Sequence, residues 1–179
     1  MKKILIYLLS IGIFGVASIA NSQTIRIGTE GAYPPWNNLN SAGELEGAEI
    51  DFGNEACKRM GVTCEWVTQD WDGIIPALLQ GKYDIIIAGM SITEERKEKV
   101  NFTTGYMTDG ARFAVLKNSG LANLNIAGMA KVNLNNAGGK EQAAIGQLIA
   151  AMDGKTVCVQ SSTMHQTCVF LRSFGELLK

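Results

Sequence analysis

Apolar and polar positions alternate along Thr24–Thr29, and that period of two predicts a half-buried strand. Ile50, Phe52, Ala56, Cys57 and Met60 then recur near helical spacing. Gly61 stands where a C-cap belongs, so a helix is predicted over 50–60. Thr63–Thr68 reads as a second strand and Trp71–Gln80 as a second helix, closed by Gly81. Pro76 within that helix fits a first-turn or kinked placement. Tyr83–Ala88 carries the unbroken run Ile85-Ile86-Ile87-Ala88, which suits a strand covered on both faces. A third helix is predicted from Thr93, with Thr93 as N-cap and Glu94 and Glu95 in the first turn. Strand and helix in alternation predict an α/β fold with a mostly parallel sheet.

The pattern resumes near Gly110 with a second α/β unit. Arg112–Lys117 and Lys155–Gln160 are expected strands, and Lys140–Met152 and Thr163–Gly175 expected helices. Between them, 118–139 is poor in charge and rich in Asn, Ala and Gly, as a long loop or insertion would be. Glu30–Asn40, with its Gly, Pro and Asn, reads as a loop, and Ser41-Ala42-Gly43 as a turn. No internal repeat is visible.

The first 22 residues follow a different rule. Lys2 and Lys3 precede an uncharged, mostly apolar run from Ile4 to Ala20, and the small residues Ala20 and Ser22 suit a cleavage site. A cleaved secretory signal is expected, with the cut after Ser22 or Ala20. The run falls short of the roughly 20 residues of a spanning helix. Export permits disulfides. Cys57 and Cys64 flank a predicted helix end and the next strand, close enough to bridge, or to be two small buried hydrophobes; the compartment favours the bridge. Cys158 and Cys168, in a predicted strand and helix, could both be core. A single His and the lack of a C-x-x-C pair point away from a metal site, and no cofactor is expected.

At 179 residues, 46% hydrophobic and 18% charged, the chain has the composition of a globular protein. Its formal charge is −1 and no basic block is present, which excludes a nucleic-acid partner of the usual kind. In open α/β sheets, ligands bind beyond the carboxyl ends of the strands. The residues following the first strand are Glu30, Tyr33, Pro34, Pro35 and Trp36. Asp70 and Trp71 follow the second. Gly89, Met90, Ser91 and, in the next helix, Arg96 follow the third. Ser161, Ser162 and Thr163 follow the strand of the second unit. An Arg that grips a carboxylate with paired hydrogen bonds, an acid and aromatic faces together suit a zwitterion with a positive tail. The helix N-termini at Thr93 and Thr163 favour an anion as well.

Ile27-Gly28-Thr29-Glu30-Gly31-Ala32-Tyr33-Pro34-Pro35-Trp36 resembles the opening of the periplasmic amino-acid-binding proteins of ABC importers, solute-binding family 3. Gly47-Ala48-Glu49-Ile50-Asp51, Asp70–Leu78, Gly81-Lys82-Tyr83-Asp84 and Ser91-Ile92-Thr93-Glu94-Glu95-Arg96 follow in the family's order. The resemblance runs from about residue 24 to 175, nearest to the opine- and lysine/arginine/ornithine-type branch, which has a similar insertion over 118–152. It implies a two-lobed (type II) periplasmic-binding fold, with lobe 1 over 23–109 and lobe 2 over 110–179. Because family members continue well beyond this point, lobe 2 is expected to be incomplete.

It further implies that Arg96 clamps the ligand α-carboxylate, helped by Ser91 and the backbone of Thr163. Ala88, Gly89 and Met90 are counted with the ligand-binding residues, and a carbonyl near Ala88 or Gly89 receives the α-amino group. Tyr33 and Trp71 stack on the ligand stem, and Glu30 meets a distal cation. Cys57 and Cys64 match the branch's disulfide. The implied function is binding of a cationic amino acid or opine for an inner-membrane ABC permease, without catalysis. Ala88 and Gly89 stand where some members carry hydroxyls. The scaffold also serves cyclohexadienyl dehydratase-like enzymes. Fold by itself does not separate receptor from enzyme, or either from a truncated, non-functional remnant.

Overall fold

A computed structural model describes residues 23–110, 112–126 and 138–167. The segment 1–22, Cys168 and the end of the last expected helix lie outside the described residues. The elements in order are β1 (Thr24–Thr29), β2 (Ala32–Tyr33), β3 (Asn37–Leu39), β4 (Leu45–Glu46), α1 (Ala48–Met60) and β5 (Thr63–Thr68). A 3₁₀ turn at Trp71–Gly73 leads into α2 (Ile74–Leu79), followed by β6 (Ile85–Ile86), α3 (Glu94–Lys97) and α4 (Gly139–Met152).

The α/β class holds. β5, β1 and β6 form a three-stranded sheet with β1 central and both neighbours parallel to it. Ile27 of β1 is paired with Trp66 on one side and Ile85 on the other. Side chains alternate across the sheet, and each face has its own cluster. On one, Ile27 and Ile87 pack with Cys57 of α1, joined by Ile25, Cys64 and Trp66. On the other, Ile74 and Ala77 of α2 pack with Tyr83 and Ala88. Burying such side chains contributes roughly 1.5–3 kcal/mol apiece. Tyr83 crosses directly under β1: a Cβ on Gly28 would lie 2.5 Å from its ring, so Gly28 is required by close approach. The Tyr83 hydroxyl is satisfied by the Ile74 carbonyl.

α1 buries Glu49, Ile50, Gly53 and Cys57, a single helical face. Gly61 closes it, donating its N–H to the carbonyls of Cys57 and Lys58. The Cys57–Cys64 disulfide is formed, with Cα atoms 5.9 Å apart, and ties this helix end to β5. Cys57 is also 4% exposed, so it is bridge and core residue at once. Pro76 falls in the first turn of α2, where its missing N–H is harmless.

Several expectations are corrected. Glu30–Asn40 is not a plain loop: β2, β3 and β4 form a small antiparallel sheet. Short two- and three-residue strands leave no periodic trace, and one register is fixed by a side chain, Asn37 Oδ1 accepting the Gly31 N–H at 2.8 Å. The strand at Tyr83–Ala88 is formed only at Ile85–Ile86. Arg112–Lys117 and Lys155–Gln160 are not strands, because no neighbouring strand among the described residues completes their backbone ladders. Cys158 is accordingly exposed rather than part of a core. The expected helix over Lys140–Met152 is formed as α4, and residues 164–167 are helical after Thr163.

Candidate functional site

The carboxyl ends of β1, β5 and β6 open on a cleft of about 250 Å³. β1 delivers Glu30 and, through the small sheet, Tyr33. The turn after β5 delivers Trp71, and the segment after β6 delivers Ala88, Gly89, Met90 and Ser91. Arg96 reaches in from α3, and Thr163 from the start of the last helical turn. Glu30, Tyr33, Trp71, Ala88, Gly89, Met90, Ser91, Arg96 and Thr163 thus line one cleft, whereas Pro34, Pro35, Trp36, Asp70, Ser161 and Ser162, also read at the strand ends, do not border it.

Arg96 is the centre of the geometry. Thr93 caps α3 by accepting the Arg96 N–H at 3.2 Å, which sets the helix start. The guanidinium donates to the Ser91 carbonyl at 2.8 Å and to the Ser162 carbonyl at 2.9 Å. It lies over the Trp71 ring, 5.3 Å from the centroid. Trp71 Nε1 donates to the same Ser162 carbonyl at 3.0 Å. Burial lowers the Arg96 pKa from its ordinary value, and Glu95 partly opposes this.

Glu30 accepts from Gln160 Nε2 at 2.6 Å. Burial raises its pKa, the Gln160 bond opposes the rise, and the nearby charges of Asp70 and Asp72 add to it. A cation would relieve that unfavourable setting. Ser161 Oγ donates to Asp72 at 2.8 Å, a second link between the strand ends and the later chain. Thr163 Oγ1 donates to the Gln160 carbonyl at 2.8 Å and accepts the Gln166 N–H, so its side chain caps the turn.

The segment joining the two sequence units supplies residues that the patterning missed: Phe102 to Met107 and Asp109 all border the cleft. Tyr33 donates its hydroxyl to Asp109 Oδ2 at 2.8 Å. That bond holds the Asp109 carboxyl below its usual range, whereas burial, followed by the same bond, pushes the Tyr33 phenol up. Tyr106 stacks on Phe52 with ring centroids 5.5 Å apart. Burial first, then its bond to Glu49, raises its pKa. Two aromatics and an acid shortly after the Ser91–Arg96 motif were the available signal. Gln160 also borders the cleft, beside the Ser161-Ser162-Thr163 run. Among the described residues, no group of His, Cys, Asp and Glu is arranged to hold a metal ion. No described helix is long and apolar enough to cross a membrane.

Residues 25–166 match the bacterial extracellular solute-binding proteins, family 3. The chain belongs to this family. It is 44% identical over 144 residues to the octopine-binding periplasmic protein of Rhizobium meliloti, covering 80% of this chain and 49% of that one. It is 41% identical to the L-arginine-binding protein of Pseudomonas aeruginosa over 68% of this chain and 47% of that one. A solved periplasmic His/Glu/Gln/Arg/opine family-binding protein from Silicibacter pomeroyi, in complex with lysine, is 61% identical over 46% of this chain and 38% of its own, with a TM-score of 0.46. The chain spans about half the length of the curated relatives it matches.

Proposed function

We propose that this family 3 protein is the periplasmic substrate-binding component of an amino-acid ABC importer, taking a cationic amino acid or an opine into the cleft between two lobes, 23–109 and 110–179. The observation that carries this reading is the pairing of Arg96, laid over Trp71, with Glu30 in one cleft. Arg96 presents a planar fork suited to the α-carboxylate. Glu30, crowded by Asp70 and Asp72, suits a cationic tail. The curated relatives named above bind octopine and arginine. The partner would be an inner-membrane permease, and export would follow from the N-terminal signal.

Calorimetry with arginine, lysine, ornithine, octopine and glutamate tests the reading. The cationic ligands and octopine are expected to bind more tightly than glutamate, and tighter glutamate binding would overturn the charge assignment. Arg96→Ala is expected to weaken arginine binding by roughly a hundredfold or more, as loss of a bidentate charged contact should. Affinity within about threefold of wild type would place the carboxylate clamp elsewhere. Incubation with a cyclohexadienyl amino acid is expected to give no product; turnover would make the protein an enzyme.

A further inference from the structure

The stretch Gly47-Ala48-Glu49-Ile50-Asp51 has a family likeness but no ligand role in the reading above. Glu49 is 2% exposed, the only buried carboxylate among the described residues. It does not line the cleft, yet two of its partners do. Oε1 accepts the Gly89 N–H at 2.7 Å and the Tyr106 hydroxyl. Oε2 accepts from Asn37 Nδ2 at 2.7 Å, and Asn37 Oδ1 in turn accepts the Gly31 N–H. Asn37 is fully buried. Gly89 has a φ of 60°, and a Cβ there would sit 3.1 Å from the Tyr33 ring. Its left-handed backbone is therefore held at one end by a charged hydrogen bond and packed at the other against an aromatic that lines the cleft.

We propose that Glu49 is a positioning residue of the binding site: without touching ligand, its carboxylate fixes the Gly89 backbone and the Tyr106 ring from behind, and the small sheet holds Glu49 through Asn37. The proposal deepens the receptor reading and rests on it for its ligand. A merely structural Glu49 would lower stability and leave affinity and the Gly89 amide unchanged.

The hydrogen-bond pattern dictates the variants. In Glu49→Gln the new amide faces Asn37 Nδ2, donor against donor, and turning Asn37 over would abandon the Gly31 N–H. Adding Asn37→Asp restores a donor–acceptor pair there and keeps an acceptor for Gly31. Hydrogen exchange at the Gly89 amide is read by NMR without ligand, and arginine affinity by calorimetry well below each variant's melting temperature. In Glu49→Gln, Gly89 exchange is expected to rise at least about tenfold and the arginine Kd to weaken about tenfold. The double variant is expected to recover both to within about threefold. A folded Glu49→Gln protein with wild-type exchange or wild-type Kd overturns the proposal. So does a double variant whose melting temperature recovers while its Kd does not. If Glu49→Gln alone does not fold, the double variant carries the test. A wild-type protein that ignores every amino acid would sink the receptor reading alone, because the Gly89 measurement needs no ligand.

Discussion

Residues 24–97 and residues 112–160 carry similar alternations of apolar and polar positions, yet they reach different ends. In the first, Ile27 is 1% exposed between two parallel neighbours. In the second, Phe113, Val115 and Leu116 are 51%, 43% and 77% exposed, in backbone that pairs with no described strand. Residue preference is much the same in both; what differs is the ladder partner. β1 is flanked on both sides and has a helix packed against each face through Cys57 and Ile74. An apolar run becomes a strand only when its N–H and C=O groups meet a neighbour's.

The sharpest way to break this contrast is to truncate one apolar side chain in each region. Ile74→Ala should destabilise by about 2–5 kcal/mol, since it empties a packed site under β1. Leu116→Ala, at 77% exposure, should change stability by less than about 0.5 kcal/mol. Chemical denaturation measures both, and equal losses would show that 112–116 is packed in solution.

Next in size is the pH dependence at the contact joining the regions, Glu30 to Gln160. The Glu30 pKa is raised in the free protein, chiefly by burial. Without ligand, Glu30 favours folding more in acid than at neutral pH, because the native state holds its proton more tightly than the unfolded chain. A bound cation favours the carboxylate, so binding expels that proton. Affinity for arginine should therefore fall as pH drops through the Glu30 pKa, by up to about tenfold per pH unit below it. Glu30→Gln should flatten the profile in calorimetry across that range. An unchanged slope would remove Glu30 from the cationic subsite.

The smallest effect sharpens the picture inside the ordered region. Thr29, fully buried at the end of β1, has a hydroxyl without a hydrogen-bond partner among the described residues. Thr29→Val keeps its shape and removes an unsatisfied group, so it should raise stability by about 1 kcal/mol in thermal melts. A loss of that size would show that the hydroxyl is satisfied in solution.

What could be read from the residues follows the same division. β1, α1, β5 and the start of α3 were legible because period, cap and length agree at each. Gly61 and Thr93 sit where the periodicity needs a stop and a start. β2–β4 was not legible, since its pairing depends on Asn37, whose side-chain partner is a backbone group six residues away. The strand-end residues of the cleft were legible through the rule that ligands gather at carboxyl ends. Tyr106 and Asp109 were not, because they reach the cleft from an irregular segment that has no period to read. Glu49 could be seen only as part of a motif; that it stands behind Gly89 follows from tertiary contacts alone.

The Ser162 carbonyl, which receives both Arg96 and the Trp71 indole, belongs to a non-glycine residue with a φ of 56°. The Arg96 guanidinium thus donates to two oxygens of the chain's own backbone. Freezing a long side chain on binding ordinarily costs about 0.5–1.5 kcal/mol, and the bonds to Ser91 and Ser162 hold Arg96 in one arrangement without help from a ligand. Under the receptor reading proposed above, recognition at Arg96 would be an exchange of one oxygen partner for another, and selectivity would rest on how much better a carboxylate serves that cation than a neutral carbonyl does.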